Sequence, residues 1–364
     1  MIRNSLGGNL PLFLLQKCCD MLRYSLLMSV LFFTFCRNKS SDEQLVMVVD
    51  KISLRAAPGI ESPVVAVLQL GDRVVDLGEV SHFETELIYE NVAQRTPWIR
   101  VETVKNQRGW VFAGAVNAGE KMEDWLLKKR FECYFGHEFT NRLRTWMADC
   151  STVQTAGALA VVYRRGIALR DSMANLLGRR SEPAGMPDYG WMDGGIPGFV
   201  YQAAFDGGPP HLFVDYLYWG EKAQKTSGTA DDEFVQVCFA VFPQDSIESF
   251  FPVWKFQLSE TASASQFGTG MHLNTMRLLD KSLSQSRLFE PELWAFKDAL
   301  LDDIHDPINR YWQPRDRILK ELDGITTRPP GCLSVSEINA LRVRRKMFEH
   351  PEMEGIIVNM RSGE

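Results

Sequence analysis

The chain has 364 residues, 45% of them apolar and 24% charged, with a formal net charge of −6. That is a globular composition, long enough for two or three cores, and it excludes a predominantly disordered chain. The acidic balance argues against a general nucleic-acid binder, which would need a basic face, so no nucleic-acid partner is expected.

The N-terminal stretch does not read as globular. Arg23 precedes a charge-free apolar run over residues 25–35, which ends at Cys36 and turns polar through Arg37, Asn38 and Lys39. A basic residue, an apolar stretch of about ten residues and a sharp polar exit form an export layout. A bilayer core takes about 20 apolar residues, so this run is too short to span one. A further apolar run over 10–15 leaves either Met1 or Met21 as the translation start. The cysteine at the end of the run, followed by a polar tether over 36–44, resembles a bacterial lipoprotein signal. That resemblance implies lipidation at Cys36 and a membrane-anchored protein on the periplasmic or surface side of the cell envelope. A secreted chain is the alternative. Of seven cysteines, Cys133, Cys150, Cys238 and Cys332 then remain in the mature part. Their wide, irregular spacing is neither a disulfide framework nor a metal knuckle, so buried free thiols are expected.

Residues 44–49 and 52–54 form strand runs leading into the turn Ala56-Ala57-Pro58-Gly59. Proline fixes one φ there and glycine frees the next. A strand over 64–68 stops at Leu70-Gly71-Asp72, and another follows over 73–77. After a long polar excursion over 78–97, Trp98-Ile99-Arg100-Val101 alternates with period two, and Gly109-Trp110-Val111-Phe112 closes the set. Short strands at this spacing, separated by turn residues, are a barrel pattern. The ordered set over about 46–116 resembles a bacterial SH3 domain, with boundaries at 45–118. The resemblance implies a small all-β barrel that binds a peptide, peptidoglycan or an envelope protein. Tyr89, Trp98 and Trp110 are the candidate binding residues, because aromatic faces build peptide grooves. The competing place for both tryptophans is the barrel core.

Residues 119–364 read as a larger α+β domain, making the fold multidomain: leader, tether, SH3-like barrel and this domain of unknown role. Helices are predicted over 121–150, 152–165, 275–283, 290–304 and 315–322 from apolar spacing. Ser334 and Glu337 form a capping-box pattern that opens a last helix, with Arg342, Arg344, Arg345 and Lys346 on a solvated face. A Gly/Pro-rich loop is expected over 182–210, and a short antiparallel sheet from strands over 212–219, 234–242 and 250–258.

Candidate chemistry in this part is sparse. Asp149-Cys150-Ser151 reads as entering a helix, where exposed amides would stabilise a thiolate. His211 opens the expected strand over 212–219. That layout resembles NlpC-type cysteine peptidases, which implies Cys150 as nucleophile and His211 as base in cutting wall peptides. Thr152 stands where the family has glycine, and no second histidine follows. Asp302, His305 and Asp306 share a helical face without a second ligand cluster, so no metal is expected. Gly268-Thr269-Gly270 is too sparse for a phosphate loop, and no cofactor is expected. A non-catalytic envelope binding protein is the leading reading, and the cysteine peptidase is the alternative.

Overall fold

The computed structural model describes residues 44–89, 92–179, 189–204, 210–259 and 262–360. Residues 1–43, which hold the expected leader, Cys36 and all but the last residue of the expected tether, lie outside the described residues. The chain divides into two compact units, the first ending at Trp125 and the second beginning at Leu126.

The first unit is a curled, all-antiparallel sheet in the order β3-β2-β6-β5-β4-β1-β7. Its strands are β1 (Gln44–Met47), β2 (Ile52–Arg55), β3 (Val64–Leu68), β4 (Arg73–Tyr89), β5 (Val92–Thr103), β6 (Arg108–Phe112) and β7 (Val116–Asn117). Period-two alternation sends Leu45, Met47, Ile52, Leu54, Ile99, Val101 and Val111 inward, where each is buried. The excursion over 78–97 is not a loop. Its residues extend β4 and β5 into one long ribbon, with Thr85 opposite Thr96 and Tyr89 opposite Val92. The register shifts between Asp76 and Val80 and again before Glu84. Gly78 sits in the first irregularity with a φ of 77°, a conformation that side chains disfavour.

The second unit is mainly helical. Among the described residues it holds α1 (Met122–Phe135, which starts just before the unit boundary), α2 (His137–Thr152), α3 (Ala156–Gly178), α4 (Tyr216–Ala223), α5 (Ala230–Val241), α6 (Met271–Gln285), α7 (Glu290–His305), α8 (Arg315–Thr327) and α9 (Val335–Met347). Its sheets are two-stranded: β8 (Phe199–Gln202) with β9 (His211–Val214), and β10 (Lys255–Gln257) with β11 (Ser263–Ser265).

Four expectations change here. The helix over 121–150 is two helices, broken at Gly136 with a φ of 84°. The strand over 234–242 is helix α5. Its buried residues Phe234, Val235, Val237, Cys238 and Val241 recur at helical intervals, and Asp231, Asp232 and Glu233 in the first turn favour the positive end of the helix dipole. The strand over 212–219 ends at Val214, because the Asp215 carboxylate accepts the Leu217 and Tyr218 N–H groups and caps α4. The strand over 250–258 shrinks to the three residues of β10. The capping box at Ser334 and Glu337 is present as read. The Gly/Pro-rich loop over 182–210 lies partly outside the described residues; its described part holds a short 3-10 turn and β8. No helix among the described residues is long and apolar enough to cross a membrane.

Candidate functional site

Three adjacent strands of the barrel build one outward face. In β6, Trp110 stands opposite Arg55 of β2 on one side and Arg100 of β5 on the other. Residues directly opposed on neighbouring strands project from the same side of a sheet, so Arg55, the half-buried Trp110 and Arg100 share one side of it. Arg100 is answered by Glu79 at 2.6 Å. Arg55 donates to the Ser62 carbonyl at 2.6 Å and lies 6.0 Å from the Trp98 ring centroid. Among the described residues no carboxylate pairs with Arg55. Next to this row, edge strand β3 leaves Val64, Val65 and Val67 exposed. Gly109 makes the approach possible: a Cβ there would lie 2.6 Å from the Arg55 carbonyl oxygen. An indole, a cation without a carboxylate partner among the described residues and an apolar strand edge can together hold an extended peptide and its carboxylate.

The three aromatic candidates have different fates. Trp98 is only 2% exposed and belongs to the core. Its Nε1 donates to Thr85 Oγ1 at 2.8 Å, its backbone N–H donates to Ser81 Oγ at 2.9 Å, and it packs edge-on against Phe112. A ring so enclosed braces the ribbon against the barrel and offers no groove surface. Tyr89 ends β4, and its side chain lies outside the described residues. Trp110 alone of the three is placed on the face. Arg55 and Arg100 were missed as site residues, although the signal was available: a turn near Lys105 sets Trp110 opposite Arg100 once β5 and β6 pair.

The cysteine layout is corrected. Cys150 lies in the last turn of α2, not at a helix start, and is 2% exposed. The carbonyl end of a helix disfavours a thiolate. Burial pushes the Cys150 thiol up to about 11, despite the opposing pull of Lys222 and of a hydrogen bond from Tyr218. His211 does open a strand, but it is exposed and packs on Phe250 at 4.8 Å and Phe213 at 5.9 Å. The two candidates therefore have different neighbours. Cys238 and Cys332 are buried free thiols, and Cys133 is half-buried.

An enclosed ionic cluster joins β10, β11, α6 and α7. Asp303 Oδ2 accepts from Ser265 Oγ at 2.5 Å and lies 2.8 Å from His272 Nε2. Its Oδ1 pairs with Lys255 and accepts from Asn309 Nδ2 at 2.9 Å. Ser265 and His272 meet the same carboxylate oxygen, so no serine–histidine–aspartate relay runs through them. Nearby, Asp302 is exposed, His305 is half-buried, and Asp306 Oδ1 accepts the Ile308 N–H. Among the described residues no group of three His, Cys, Asp or Glu side chains is placed to hold a metal ion. Gly268 and Gly270 both donate their N–H groups to Glu321, so a carboxylate of the chain itself fills the start of α6.

Residues 50–117 match the bacterial SH3 domain family. No curated protein and no solved structure matches the chain.

Proposed function

We propose that this chain is a non-catalytic cell-envelope binding protein that holds a peptide, a peptidoglycan fragment or an envelope protein on the Arg55–Trp110–Arg100 face. The observation that carries the reading is the coincidence of that face with the segment matching the bacterial SH3 family. Trp110 supplies apolar contact area. Arg55 supplies a cation without a carboxylate partner among the described residues, and the β3 edge supplies backbone groups for an added strand. The enclosed, high-pKa Cys150 thiol supports a role without cysteine catalysis.

The proposal extends to location. The basic, apolar and polar order of residues 23–39 supports export, and Cys36 is the proposed lipid anchor. Co-sedimentation with purified peptidoglycan tests the binding role: the wild type is expected to pellet with the wall material without releasing peptides, and Trp110→Ala to stay largely in solution. Released peptides that disappear in Cys150→Ser would replace this reading by hydrolysis. Palmitate labelling that is lost in Cys36→Ala tests the anchor.

A further inference from the structure

The second unit holds an open groove of about 620 Å³ that no role described so far uses. One side of it is aromatic. Phe250 is 53% exposed, yet two near-perpendicular ring contacts pin it, with Phe213 at 5.0 Å and His211 at 4.8 Å. Ser249 Oγ, bonded to the Phe251 carbonyl and N–H, fixes the backbone beside it. The remainder of the groove is rich in side-chain amides: Gln202 of β8, Gln244 and Gln257 of β10 all line it and are exposed.

Its charges are largely answered from within the protein. Glu248 takes Arg170 at 2.7 Å and the Val214 N–H at 3.0 Å, and Lys255 is held by Asp303. Asp245 is the exposed carboxylate of the groove. It and Ser246 carry φ values of 54° and 53°, a strain on the order of 1–3 kcal/mol per residue that tends to gather at ligand clamps.

We propose that this groove binds a neutral oligosaccharide. A sugar ring carries an apolar C–H face that lies against an exposed aromatic ring, and hydroxyls at its edge that pair with amides and a carboxylate. An anionic ligand would gain little, because Lys255 is already held by Asp303 and the groove's own carboxylates, Asp245 and Glu248, would repel it. The volume falls within the range of small-molecule sites, about 300–1,000 Å³. The groove lies wholly within the second unit, so this inference does not depend on the barrel face.

Saturation-transfer NMR on the full chain tests it, with an N-acetylglucosamine tetramer, cellotetraose and tetra-alanine as probes. Transfer to at least one sugar is expected, and any transfer to the peptide, coming from the barrel face, should survive Phe250→Ala. Phe250→Ala should weaken sugar binding at least tenfold, and Arg342→Ala, at an exposed position outside the groove, should leave it unchanged. Gln257→Ala, at an exposed position that costs no packing, should weaken it several-fold. Transfer to neither sugar, transfer to tetra-alanine that Phe250→Ala removes, or sugar binding indifferent to both groove variants would overturn the proposal.

Discussion

His272 Nε2 lies 2.8 Å from Asp303 Oδ2 with both side chains shut away from solvent. Burial alone would raise the Asp303 pKa, but the His272 hydrogen bond and charge, together with Lys255, overcome it and hold the carboxyl at about 2. A carboxyl depressed in the folded state stabilises the fold above its unfolded value, about 3.9, and that contribution is lost as pH falls through about 2. Asp303→Asn should therefore reduce the slope of stability against pH between about 4 and 2. It should also cost about 3–5 kcal/mol at neutral pH, because Lys255 loses its counter-charge and His272 its carboxylate partner. Urea unfolding over a pH series measures both. An unaltered slope would show that Asp303 does not carry this charge in the folded state.

Trp98 and Trp110 lie on neighbouring strands but separate stability from binding. Trp98→Ala empties a core position and breaks the bond to Thr85, so a loss of about 3–5 kcal/mol is expected in urea unfolding. Trp110→Ala, on the face, should cost about 1 kcal/mol while reducing peptidoglycan co-sedimentation by roughly fivefold or more. Equal stability losses with unchanged binding would move the ligand away from this face.

Cys150 should behave as an inert thiol. With its pKa pushed up to about 11 by burial, only a minute thiolate fraction exists near neutral pH, and reactivity should rise as pH climbs toward that value. Iodoacetamide labelling followed by mass spectrometry is expected to leave Cys150 unmodified in the folded protein and to modify it in urea. Rapid labelling of the folded chain at pH 7 would contradict this and would restore a nucleophile.

The barrel was legible because its strands alternate with period two and its turns carry glycine and proline at fixed places. Val101, Val111 and the turn at Pro58 and Gly59 signal their positions locally. The helical unit was less legible for two physical reasons. Val235, Val237, Phe239 and Val241 favour strands by composition, but burial on one side of α5 overrides that preference. Asp215 ends β9 by a side-chain cap that looks like an ordinary polar residue until the Leu217 and Tyr218 N–H groups need a partner. The site was half legible: Trp110 was named from its residue type, whereas Arg55 joins it only through strand pairing. The groove around Phe250 gathers residues from β8, β9, β10 and the segment after α5, and no local spacing announces such an assembly.

Arg344 shows what a charge run conceals, and it gives the last prediction. Within a basic stretch expected to face solvent, Arg344 is 4% exposed. Its guanidinium donates to the Ile304 carbonyl at 2.9 Å, the Asp306 carbonyl at 3.1 Å and the Tyr311 hydroxyl at 3.0 Å. Two of these acceptors lie at the C-terminal end of α7, where carbonyls lack helical partners and favour a cation. Arg344→Ala should cost about 3 kcal/mol, the range for buried hydrogen bonds to a charged group. Arg344→Lys should recover only part of it, since one ammonium cannot reproduce a planar fork spread over three acceptors. Arg342→Ala, at an exposed position two residues away, should fall within about 0.5 kcal/mol of the wild type. Urea unfolding of the three variants checks the order. Equal effects of Arg342→Ala and Arg344→Ala would mean that the end of α7 is held by something other than this side chain.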